Sequence, residues 1–274
     1  MRITLILFSL PLFITTILLY GFLAWNLYFS FTNFSVLNPD YRFVGLATYF
    51  QLFSDPLFQS ALVKTLFWIV VLVAVGNLAG LVIASLIYNV ASATWRNILT
   101  AYFIYPLSLS LVASGIIWRW LLDADRGIGR FLGNPLQGDA AFWSISLVSV
   151  WVYSGLATLF YLAMFYNVDK SQLESAQIDG ASKLYTMLSI VIPQSKQSLI
   201  ISTIFFTLFA IQMFDLPYSI LFLNPNTMTL VMYTFMKFTA FYLAVASASA
   251  VVIIAISAVM VIPYALLSLK RWIK

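Results

Sequence analysis

An all-α membrane protein of six transmembrane helices is the fold this sequence predicts, on three observations. Of its 274 residues, 62% are hydrophobic and only 8% charged, where soluble domains carry about 25% charge. The mean hydropathy is +0.97. The few charges divide the chain into long uncharged runs, residues 3–39, 65–95, 97–118, 140–168, 197–214 and 238–269. Each can supply the roughly 20 apolar residues that a membrane helix needs.

The first helix covers about 3–31. This stretch is too long for the roughly 7–15-residue apolar region of a signal peptide, and no small-residue cleavage site stands out, so it reads as an uncleaved span. Residues 32–60 follow on the outer side. They contain Gly45, Asp55-Pro56 and an apolar spacing of Leu46, Tyr49, Phe50 and Phe53, which suits a short helix lying in the interface. The second helix covers about 61–88 and the third about 98–122, with a kink expected at Pro106. A loop rich in Gly, Asp and Pro leads to the fourth helix, about 142–166. The fifth must run past Asp215 to full length, about 198–223, and the sixth covers about 241–269.

Composition also excludes chemistry. Cys and His are both absent, which removes disulfides, Cys or His metal sites and His proton relays. With a single acid at membrane depth, a catalytic constellation is hard to assemble. The net charge of +5 follows from basic residues gathering in cytoplasmic loops. With both termini inside, eight Lys and Arg fall on the inner face and six outside, and Lys270-Arg271-Trp272-Ile273-Lys274 reads as an inner anchor.

The longest inner segment, about 167–197, is unusually polar and includes ESAQIDGASKLYTMLSIVIP, residues 174–193. Ser171 and Glu174 have the spacing of a capping box. A short helix to Asp179 is expected, closed by Gly180 in a left-handed turn. A second short helix carries Leu184, Met187, Leu188 and Val191 at helical spacing, and Pro193 ends or bends it. Two stubby helices of this kind either rest on lipid headgroups or dock a soluble partner.

Glu174, Ser175, Ala176, three intervening residues, Gly180, nine further residues and then Ile190-Val191-Ile192-Pro193 closely resemble the EAA loop of binding-protein-dependent ABC importer permeases. Ser175 stands where the family has Ala, and Ile192 where it has Leu. Asp179-Gly180-Ala181 resembles the carbohydrate branch, of maltose-transporter type. The segments FVGLATYFQLFSDPLFQSALVKTLFW and WRNILTAYFIYPLSLSLVASGIIWRWLL extend the likeness, and SILFLNPNTMTLVMYTF resembles the first, F-type permease. The resemblance implies the ABC type I importer permease fold as a single domain over 1–274, in the cell membrane, with a cytoplasmic coupling helix. It implies a heterodimer with a second permease, two ATPase subunits that bind ATP and Mg, and an extracellular sugar-binding protein. It implies no cofactor in this chain and no nucleic-acid partner. The chain has no Gly-x-x-x-x-Gly-Lys-[Ser/Thr] phosphate loop. By resemblance, the coupling set is Ser171, Glu174, Ser175, Ala176, Asp179, Gly180, Ala181 and Pro193, with Glu174 pairing a basic residue of the ATPase.

For the substrate path, polar groups at membrane depth are expensive and tend to be functional. Asp215, with Gln212 one turn before it, stands out, facing either a wet cavity or a basic partner such as Arg119 or Lys237. Ser149 and Tyr153 share a helix face, with Trp151 nearby. The family alignment, run gaplessly from the EAA loop, brings Ser149, Val152, Tyr153, Phe206, Ala210 and Met213 onto the sugar-lining positions. The path set is therefore Ser149, Trp151, Tyr153, Gln212, Met213 and Asp215. A sugar importer is the leading reading. The same importer with phosphate, peptide or amino-acid cargo comes next, although Asp215 would repel anions. A secondary transporter or channel using Asp215 as an ion site, and then a membrane enzyme, follow.

Overall fold

Backbone groups in lipid must find partners within the chain, and helices provide them. Among the described residues the chain is helical, with one isolated bridge between Thr32 and Phe43. The structure, a computed structural model, describes residues 2–37 and 39–272, without the side chains of 2–9, 264, 265 and 267–272. The proposed anchor at 270–274 thus lies outside the described side chains.

The elements are α1 (Arg2–Ser30), α2 (Ala47–Ser54), α3 (Pro56–Val71), a π-turn (Leu72–Gly76), α4 (Asn77–Tyr88), α5 (Ala93–Ser108) and α6 (Leu111–Leu121). A 3₁₀ turn (Ile128–Phe131) leads to α7 (Ala140–Phe165). Next come α8 (Lys170–Ile178), α9 (Lys183–Thr186), a second π-turn (Met187–Val191), α10 (Ile192–Gln194), α11 (Lys196–Ile211) and α12 (Asp215–Leu221). A 3₁₀ turn (Pro225–Thr227), α13 (Leu230–Thr239) and α14 (Leu243–Trp272) complete the chain.

Four helical stretches are long and apolar enough to cross a membrane, and two bent pairs raise the number to six if each pair is one span. Those pairs are where expectation and structure differ. The third span is two helices, α5 and α6, meeting at 97°. Pro106, in the last turn of α5, removes a backbone donor, and Leu109 and Ser110 are extended rather than kinked. The fifth span bends by 43° between α11 and α12. Pro217 sits in the first turn of α12, where a missing N–H removes no intrahelical bond and favours a restart.

By its internal contacts the chain divides into two units, 1–61 with 230–256, and 62–229 with 257–274. In the first, α2 forms where the apolar spacing places it. Leu46, Phe50 and Phe53 are exposed, while Thr48 and Leu52 face inward. Thr48 donates to the Thr32 carbonyl at 2.9 Å, and the Ser30 and Tyr49 hydroxyls meet at 2.7 Å.

In the second unit α7 is the hub, buried on most sides, with α4, α5 and α11 against it. Small residues permit this closeness: a Cβ on Gly80 would lie 2.4 Å from the Cβ of Ala157. Buried hydrogen bonds then tie three helices together. Tyr161 of α7 donates to Asn77 Oδ1 at 3.3 Å, Ser202 of α11 donates to the same oxygen, and Asn77 Nδ2 donates to the Val73 carbonyl at 2.8 Å.

Candidate functional site

The polar segment 167–197 folds into a braced pair of short helices, as its sequence suggests, but with a different first cap. Asp169, extended at ψ 124°, is the N-cap of α8, and its carboxylate accepts from the Ser171 N–H at 2.9 Å. A charged cap interacts favourably with the helix N-terminus as well as with its free N–H groups. Ser171 lies one residue inside the helix, where its carbonyl accepts the Ser175 hydroxyl at 2.9 Å. The expected capping box is therefore replaced, and Glu174 is left exposed, in neither of the described ion pairs.

Gly180 closes α8 at φ +77°. Ala181 N–H donates to the Ala176 carbonyl at 2.9 Å and Gly180 N–H to that of Gln177 at 3.1 Å. This pair of bonds satisfies the last carbonyls of the helix. Ser182 then caps α9, its hydroxyl accepting from Tyr185 N–H at 3.2 Å. Pro193 sits in α10, just past the π-turn. Its missing N–H cannot reach the carbonyl four residues back, and the wider turn takes up that mismatch. Gln194 Nε2 donates to Gln172 Oε1 at 2.7 Å, which braces the two arms.

Between the arms is a hollow of about 860 Å³ that brings together Ser171, Ser175, Ala176, Asp179, Gly180 and Ala181, with Tyr185 on its rim. Glu174 and Pro193 do not line it. The expected apolar stripe splits, with Met187 and Val191 buried and Leu184 and Leu188 exposed. Ile178, at the tip of α8, is 86% exposed. The sequence reading passed over it, although an isoleucine between two polar residues at the end of a polar helix is itself a signal.

The substrate-path set divides in two. Ser149 is buried and donates to the Ile145 carbonyl at 2.9 Å. Tyr153 is buried and stacks on Phe209 at 4.8 Å. Met213 is buried, and its carbonyl accepts the Thr229 hydroxyl at 2.7 Å. Val152, Phe206 and Ala210 are also buried. Trp151, by contrast, is 39% exposed and meets Trp118 edge-on at 5.4 Å. Gln212 and Asp215 are exposed at the break between α11 and α12, with Asp215 in the first turn of α12. Trp118 is a residue the sequence reading missed, because nothing local links it to Trp151.

Lys237 does not serve Asp215. It pairs with Asp55 at 3.0 Å within the first unit, and Tyr233 donates to the same carboxylate oxygen at 2.7 Å. Asp215 is in neither described ion pair. Among the described residues no cluster of acidic side chains is arranged to hold a metal.

Comparison with known proteins agrees with this architecture. Residues 76–272 match the family described as the binding-protein-dependent transport system inner membrane component. The chain is 38% identical to a glucose import system permease protein, GlcT, of Saccharolobus solfataricus, over 99% of this chain and 98% of the relative. It is 30% identical to a probable ABC transporter permease, PH1215, of Pyrococcus horikoshii, over 97% and 95%. It is 28% identical to a xylose/arabinose import permease, XacH, of Haloferax volcanii, over 77% and 69%. Its fold matches a chain of a bacterial ABC transporter that imports the acidic polysaccharide alginate, at TM-score 0.79 and 17% identity, over 97% of this chain and 95% of that one. The chain belongs to the binding-protein-dependent inner membrane components, as the permease subunit of an ABC importer whose nucleotide is bound by a separate ATPase.

Proposed function

We propose that this permease takes up a sugar delivered by an external binding protein, working as one domain in a heterodimer with a second permease above two ATPases, with both termini cytoplasmic. The sugar class rests on the relatives, which carry names such as glucose and xylose/arabinose import permeases. A structural neighbour was crystallised with a periplasmic protein holding an alginate pentasaccharide.

The observation that carries the mechanical half of this reading is the stiffness of α8. Both of its ends are satisfied by caps, and the Gln172–Gln194 bond ties it to the chain entering α11. A capped, braced stub transmits displacement, whereas a loose loop would absorb it. Its exposed face offers Glu174 and Ile178, a charge and an apolar tip suited to a groove with a basic rim. ATP-driven closure of the ATPases would push this stub, and the spans above it would rock between outward- and inward-facing states. Trp151 with Trp118 offers an aromatic face, and Gln212 and Asp215 offer hydrogen-bonding edges, the pairing that sugars require.

The test is affinity purification of the tagged chain from gently solubilised native membranes, with mass spectrometry of what accompanies it. An ATPase and a second permease are expected, and Glu174→Ala should reduce the recovered ATPase or uncouple ATP hydrolysis from uptake. A chain recovered alone, or unchanged coupling in the variant, would overturn the reading.

A further inference from the structure

Both bent spans carry a second half, α6 and α12, and these two short helices pack on one another more extensively than α12 packs on α7. The two helices come close at Gly115. A Cβ built there would stand 1.8 Å from Ser219 Oγ, 2.9 Å from Ser219 Cβ and 3.1 Å from the Leu216 carbonyl oxygen. A rotamer change of Ser219 could remove only the first clash. The second involves Cβ, which moves only with the backbone, and Ser219 Oγ is already committed to the Leu216 carbonyl at 3.0 Å. Even alanine at 115 must therefore push α12 away from α6, because packed interiors leave no slack for a misplaced methyl.

What α12 carries makes this consequential. Leu216, which Gly115 meets, directly follows Asp215, and the break with Gln212 lies immediately before it. On its other side the break is pinned, because Met213 is buried and its carbonyl accepts the Thr229 hydroxyl at 2.7 Å. A shift of α12 thus cannot be passed back through Met213 into α11, and it falls on Phe214 and Asp215.

We infer that Gly115 is a positioning residue for transport: by letting α6 and α12 clasp, it sets where Asp215 is presented. The inference rests on the proposed transport reading, and it adds a determinant that belongs to neither the coupling stub nor the lining itself. Ser219 is its complement, and the pair predicts a specific rescue.

The chain has no cysteine, so a single Asp215→Cys change gives a clean reporter in the assembled complex. In membranes, its labelling rate by a water-soluble maleimide is measured alone, with Gly115→Ala, and with Gly115→Ala plus Ser219→Gly. The rate should change at least threefold with Gly115→Ala and return to within about twofold when Ser219→Gly removes both clashing atoms. In parallel, uptake of radiolabelled glucose by the cysteine-free chain should show KM raised by Gly115→Ala, with the saturating rate nearly kept, and lowered again by Ser219→Gly. If Gly115→Ala alone blocks assembly, restoration of both assembly and the reporter rate by Ser219→Gly supports the clasp. Unchanged labelling, or a change that Ser219→Gly fails to reverse, overturns it. Absence of glucose uptake by the unmodified chain counts against glucose as cargo, and the labelling series then decides the clasp by itself.

Discussion

Two places in the second unit set polar side chains within apolar spans, and they are built in opposite ways. Around Asn77 the polar atoms meet each other: Ser202 and Tyr161 donate to its oxygen, its amide nitrogen reaches the Val73 carbonyl, and Ser202 also donates to the Ser198 carbonyl at 2.7 Å. At the break between α11 and α12, Gln212 and Asp215 are exposed instead, the first just past the end of α11 and the second opening α12. Polar groups that act as glue between membrane helices are satisfied by neighbouring helices. Under the proposed reading, polar groups exposed at a broken helix serve the substrate path instead.

The largest expected effect breaks the first arrangement. Asn77→Ala leaves the buried Tyr161 hydroxyl without its acceptor, at about 1–3 kcal/mol for an unsatisfied buried group. The thermal unfolding midpoint of the purified complex should fall by several degrees, while the KM for uptake of whatever folds stays the same. A shifted KM at an unchanged midpoint would place Asn77 in the path and erase the contrast. The next effect sharpens the second arrangement. Gln212→Ala should leave the midpoint alone and raise KM by about 2–10-fold, the equivalent of one hydrogen bond at roughly 0.5–1.5 kcal/mol. A lowered midpoint with unchanged KM would make Gln212 glue after all.

The same contrast explains what could be read before folding. The stub at 169–194 is decided within a few residues of each position. Gly180 must take positive φ to close α8, Ser182 must restart the next helix, and the turn forms where the spacing puts it. Even there the choice between two good caps went to Asp169 over Ser171, since spacing alone favours a Ser–Glu pair and says nothing of the charge two residues earlier. The spans themselves were legible from uncharged length. Their breaks were not, because Pro106 signals a bend but not one of 97°, and no proline lies in the second break itself. The path was least legible. Ser149 and Tyr153 share a face as their spacing of four requires, but whether that face turns inward depends on α4, α5 and α11 packing around α7. Asn77, Ser202 and Tyr161 are far apart in the chain and only the fold makes them neighbours.

A third polar cluster, in the first unit, lies between the two extremes and predicts the smallest effect. Asp55 receives Tyr233 at 2.7 Å and Lys237 at 3.0 Å on one oxygen and the Leu57 N–H at 2.9 Å on the other, so it both caps α3 and ties it to α13. Partial burial pushes its carboxyl up, but the hydrogen bonds from Tyr233, Lys237 and Leu57 and the Lys237 charge outweigh this and hold it below the ordinary 3.8. A carboxyl lowered in the folded state stabilises above its unfolded value, and that contribution is lost as pH falls through the folded value. Because the pair is partly exposed, with each side chain 24% accessible, its worth is at most about 1 kcal/mol. Asp55→Asn should therefore lower the midpoint by a degree or two at pH 7, and the gap to the unmodified chain should narrow only below pH 3.8. A gap that stays constant down to the lowest pH at which the complex survives would mean that the shape of the cap, and not its charge, holds α3 to α13. Asp55 would then join Asn77 as neutral glue, whose worth does not depend on protonation.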